Sequence, residues 1–72
     1  MVEIKEVTAG FQVSGARFDE VFHSRFKAMM AAHAVALGDA TVSGRTVAIT
    51  MPVDWGETVL VEPGTALAHD RG

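Results

Sequence analysis

The sequence predicts an α+β fold of order β-α-β-β, with room for one more strand. One amphipathic helix packs on one face of a small, mainly antiparallel sheet. Three observations predict this. Apolar residues alternate with polar ones near the N-terminus, recur at helical spacing through the middle of the chain, and alternate again in two short blocks further on. All of it fits one domain over residues 1–72, with about 66–72 frayed.

The first strand rests on Val7, Ala9, Phe11 and Val13, which alternate with Thr8, Gly10 and Gln12. Val2 and Ile4 stand in the opposite phase, so the strand is expected to bulge or bend near Lys5 and Glu6. Ser14-Gly15 breaks the pattern, and Ser14 is the expected N-cap of a helix over residues 16–37. At 100° per residue Phe18, Phe22, Phe26, Met29, His33 and Ala36 fall on one stripe, with Met30 and Leu37 at its flanks and Arg17, Glu20, Ser24 and Lys27 opposite. Asp19 and Glu20 suit the positive end of the helix dipole, and Gly38 suits a left-handed C-terminal cap. Val47, Ile49 and Met51 then alternate with Thr46, Ala48 and Thr50 as a second strand. Residues 42–45 are either its start or a short strand turning at Ser43-Gly44. Residues 52–56 connect it to a third strand over 58–62, with Val59 and Val61 on one face and Leu60 on the other. Pro63-Gly64 closes that strand, and residues 65–69 are the candidate edge strand.

With 72 residues there is little core to share out, and the apolar residues are small: eleven Ala and ten Val against three Leu, two Ile, four Phe and one Trp. A hydrophobic content of 49% still places the chain among folded proteins rather than disordered ones. Domains this small are marginal alone. Without cysteine there is neither a disulfide nor a thiolate zinc site, so oligomerisation is the expected support. One helix covers only one sheet face, leaving Leu60, Ala48 and part of the first strand on the other, and a homodimer covering that face or an edge strand is expected.

The net charge of −3 has the wrong sign for a nucleic-acid backbone. The deficit lies in the second half: residues 1–36 carry four bases and four acids, whereas residues 37–72 carry two bases and five acids. The longest apolar run, residues 28–37, is interrupted by His33 and is too short to span a membrane. The N-terminus carries no signal-peptide core, which gives a cytoplasmic expectation.

Residues that could carry chemistry are few. Glu20 and His23 form a Glu-x-x-His pair, a spacing used by helical metal sites, but one chain offers too few further ligands unless a second copy or His69 contributes. They are weak candidates, and no metal or cofactor is expected. His33 lies among Phe26, Met29 and Met30. Either it bonds a backbone carbonyl or a sheet residue such as Thr46 or Thr50, or it lines a ligand pocket with Phe26 and Met30. The spaced Phe and Met residues read as core before they read as a binding groove. Trp55, between Asp54 and Glu57, is either an interface anchor with a charged rim or an indole folded over the open end of the sheet. Gly-rich phosphate loops, nucleophile elbows and basic-aromatic interleaving are all absent from the sequence.

The leading expectation is thus a non-enzymatic protein–protein interaction module, a small acidic inhibitor or assembly factor of a size and charge also found among phage-encoded proteins. It would be homodimeric and bind a protein with a basic surface through a sheet edge and the acidic loop of Asp54, Trp55 and Glu57, with Glu62 beyond. The alternatives are a small-molecule or metal-binding oligomer using His33 or His23 at a subunit-shared site, and a structural subunit of a larger assembly.

Overall fold

The computed structural model describes residues 1–63. Strands β1 (Val2–Val7), β2 (Gly10–Ser14) and β3 (Asp19–Phe22) precede the helix α1 (Arg25–Ser43). Strand β4 (Val47–Thr50), a single 3-10 turn (Val53–Trp55) and β5 (Val59–Val61) follow it. The sheet order is β3-β2-β1-β4-β5. Only the central β1–β4 pairing is parallel; the other three pairings are antiparallel. The helix packs against every strand on one face, so the α+β class and the one-helix, one-face arrangement are those the sequence predicts.

The first half contains more strands than the sequence pattern suggests. What reads as one bent strand is a hairpin, with Ile4 opposite Val13 and Val7 opposite Gly10. The change of phase from Val2 and Ile4 to Phe11 and Val13 is therefore a change of strand rather than a bulge, and Val7, still in β1, lies on the open face. The two-residue turn Thr8-Ala9 lacks the Asn-Gly or Asp-Gly signal that would have announced it, because the positive φ falls on Gly10, at 149°. The expected helix start is likewise a strand. Phe18, Glu20 and Phe22 fit period 2 as well as period 3.6, and in the structure Phe22 pairs with Phe11 and Glu20 with Val13. Ser14 therefore lies in β2 and caps nothing. The N-cap is Ser24, whose extended backbone (φ −118°, ψ 133°) lets its Oγ accept from the Lys27 amide at 3.3 Å. At the other end Gly38 lies inside the helix, and Gly44 (φ 72°) forms the left-handed cap, its amide donating to the Ala40 carbonyl at 2.7 Å. Residues 42–45 thus belong to the end of α1 and its cap, not to a strand. The candidate strand at 65–69 and the frayed end at 66–72 lie outside the described residues.

The core is thin, as the composition requires. Val2, Ile4, Val13, Val47 and Ile49 from the sheet meet Ala28, Ala32, Ala36 and Ala40 from the helix. Alanines every fourth residue let the helix axis lie close to the strands. The approach is tight near its middle: a Cβ added at Gly15 would meet Val35 Cγ1 at 3.2 Å. Larger side chains, among them Phe11, Phe18, Phe22, Met29 and Trp55, close the periphery as partly buried residues. Phe18 and Phe22 stack with centroids 6.4 Å apart.

Candidate functional site

The alanine ridge has a consequence for the opposite side of α1. The buried phase of the helix is carried by its smallest apolar residues, Met29 and Val35 flank it half-buried, and other large side chains are turned outward. Phe26 is 70% exposed, Met30 57% and Leu37 46%, and His33 is exposed between them. Their spacing of four, three and four residues places all four within about 60° of arc on a helix. Single exposed apolar residues are ordinary, but a row of three along one helix is not. This row is the most distinct apolar feature on the surface of the described residues.

Phe26, Met30 and His33 are therefore brought together, but on the solvent side of α1. The pocket expected between helix and sheet is not lined by them, and His33 is not a core histidine. The cause is a phase error of about a third of a turn. A hydrophobicity-weighted stripe follows Phe, Met and Leu, whereas the sheet-facing stripe consists of alanines that carry little weight. Leu37 belongs to the same outer row, and the 26-30-33-37 spacing was the signal that could have found it.

Glu20 and His23 share no helix. Glu20 lies in β3, His23 follows that strand, and both are exposed. Among the described residues no three His, Cys, Asp or Glu side chains are grouped to hold a metal ion.

Trp55 is half-buried. The 3-10 turn, closed by the Trp55 amide donating to the Pro52 carbonyl at 3.0 Å, brings the indole against Phe11 with centroids 5.3 Å apart and planes tilted by 58°. The Arg25 guanidinium lies 4.5 Å from the ring centroid on another side. The indole thus packs beyond the short strand β4 and links Phe11 of β2 to the first turn of α1. Trp55→Ala is expected to cost about 2 kcal/mol of stability, below the full cost of a core tryptophan because the ring is only half-buried. Trp55→Phe should retain most of that stability. Far-UV circular dichroism melting checks both, since the chain has no second tryptophan to report by fluorescence. An unchanged melt for Trp55→Ala would refute the packing role.

Around Trp55 the loop remains open. Val53 is 96% exposed, and Asp54 and Glu57 are exposed as well. Glu62 is not part of that patch. It follows β5, next to Val61, which pairs with Val47 at the start of β4, whereas the 3-10 turn follows the other end of that strand.

Two shallow clefts are present among the described residues. One is lined by Glu6 to Phe11 at the β1–β2 hairpin, the other by Met1, Ala16, Arg17, Asp39, Val42, Ser43 and Val47. Neither contains a histidine. No helix among the described residues is long and apolar enough to cross a membrane. Comparison with known proteins gives no match to any family model, curated protein or solved structure.

Proposed function

We propose that this chain is a non-enzymatic protein–protein interaction module whose contact surface is the outer face of α1. One observation carries the reading: the helix buries Ala28, Ala32, Ala36 and Ala40 and exposes Phe26, Met30 and Leu37. Water contact with that row costs free energy, about 25 cal/mol for each Å² of apolar surface, and a protein partner recovers it on binding. The open face of the sheet is a weaker candidate, because the exposed Leu60 and Val21 share it with Lys5 and Asp19. The acidic loop, with Val53 projecting beside Asp54, supports a second, smaller contact to a partner with a basic surface.

A photo-reactive amino acid at position 30, introduced in cells, tests the reading against the same group at position 5 on the open sheet face. A discrete adduct from position 30 that is absent from position 5, and is lost when Phe26→Glu is added, is the expected result. Equal labelling from both positions, or none from position 30, would overturn it.

A further inference from the structure

We infer that the occupant of this helical face is a second copy of the same chain, packed antiparallel through α1. The inference rests on the interaction reading above and names its partner. Three observations converge on it.

The first is the spacing. Intervals of four, three and four residues are those of a seam between two packed helices. The row is also symmetric about its midpoint, between Ala31 and Ala32. Two copies related by a two-fold axis at that point oppose Phe26 with Leu37, and Met30 with His33, twice over. That is the self-complementarity an isologous interface needs. A parallel pairing would instead set His33 against His33 and both phenylalanines at one end.

The second is charge. The first turn of α1 carries Arg25 and Lys27 with no acid, and its last turn carries no base. This is the reverse of what the helix's own dipole favours. Antiparallel packing lays each N-terminal half, with Lys27 flanking the row, beside the negative dipole end of its partner's helix, whereas parallel packing would set like ends together.

The third is area. Phe26, Met30 and Leu37, at the exposures given above, leave roughly 300 Å² of side chain in water per copy, given that an aromatic side chain presents about 150–250 Å². With the flanking Lys27, His33 and Ala34 from both copies, the total approaches about 1,000 Å², the lower end of specific interfaces. The dimer is therefore expected to be a weak, reversible one with a dissociation constant of about 100 µM, built as sheet, helix, helix, sheet. His33 is the polar residue in the seam, of the kind that selects register at some cost in affinity.

Sedimentation equilibrium of the full chain from about 1 µM to 1 mM tests this, with Met30→Glu, His33→Leu and Leu60→Glu alongside. The wild type should show monomer and dimer. Met30→Glu should weaken association at least 30-fold while its melt at 1 µM, where the chain is monomeric, stays unchanged. His33→Leu should tighten association about tenfold, and Leu60→Glu, on the open sheet face, should leave it alone. Orientation is read by mixing chains carrying Lys27→Cys with chains carrying Ala34→Cys and adding a short thiol cross-linker. Antiparallel packing gives mainly 27-to-34 links, and a predominance of 27-to-27 links would refute it.

A wild type that stays monomeric at 1 mM, or a dimer broken by Leu60→Glu and not by Met30→Glu, overturns the inference. If position 30 still labels a different protein in cells, the interaction reading survives that failure. If it labels nothing, both fall.

Discussion

Ala32→Leu is expected to lower the stability of the folded chain by about 3 kcal/mol, near the upper end for overpacked cores. A domain of 72 residues has only about 4–11 kcal/mol to lose. Ala32 is fully buried in the middle of the alanine ridge, where α1 crosses the sheet. Its methyl group sets the distance between helix and strands. Leucine adds three heavy atoms where Val2, Ile4, Val13 and Ile49 are already fully enclosed, so the helix must lift or a neighbour must leave its preferred rotamer. Lifting the helix also loosens Ala28 and Ala36, which lie one turn to either side. Ala34→Leu is the control, because Ala34 is on the exposed side of the same helix and a leucine there should change stability by less than about 0.5 kcal/mol. Urea denaturation followed by circular dichroism at low protein concentration compares the two. Equal midpoints for Ala32→Leu and the wild type would mean that the helix does not rest on its alanines.

The same ridge explains how much of this protein is legible in its sequence. The second half reads well. Val47 and Ile49, then Val59 and Val61, alternate with residues of the other face, and the PVDWG connection holds the 3-10 turn between β4 and β5. Leu60 points away from the helix as its phase requires, and remains 67% exposed. Both strands sit beside signals that depend only on neighbouring residues. The first half reads poorly because its two hairpins lack such signals. Thr8-Ala9 is an unmarked turn, and the turn of Ala16 and Arg17, closed by the Gly15 amide donating to the Phe18 carbonyl at 2.7 Å, is no better announced. Phe18 and Phe22 then fit a strand and a helix equally well, and the stronger helical pattern downstream absorbs them. Gly38 invites an early helix stop, yet nothing lies within 4 Å of where its Cβ would be, and the helix runs on to Ser43. The site follows the same logic. The side chains that matter, Phe26, Met30, His33 and Leu37, stand out in the sequence by type, but only the long-range packing of alanines on the sheet decides which way they face.

Gly10→Ala is expected to cost about 3 kcal/mol or more, through a contact no local pattern reveals. Gly10 opens β2 with φ at 149°, a conformation that L side chains rarely adopt, and forcing one there costs about 1–3 kcal/mol by itself. Its absent Cβ also points at the Phe22 backbone: an added methyl would collide with the Phe22 carbonyl oxygen and come within 3.3 Å of His23 Cα. Backbone cannot rotate out of the way as a side chain would. The collision falls where β3 ends, two residues before Ser24 caps α1. Pushing that junction outward disturbs the Phe11–Phe22 pairing and the first turn of the helix, including Arg25 over Trp55. The substitution should therefore lower the urea midpoint and shift the fluorescence of Trp55 in the folded state. Gly38→Ala is the opposite case. It lies inside α1 in open space, where alanine gains about 0.5–1 kcal/mol of helix propensity over glycine. One chemical change at two glycines should thus move stability in opposite directions. A Gly10→Ala chain within 1 kcal/mol of wild type would mean that β2 and the β3–α1 junction do not approach as closely as the backbone geometry requires.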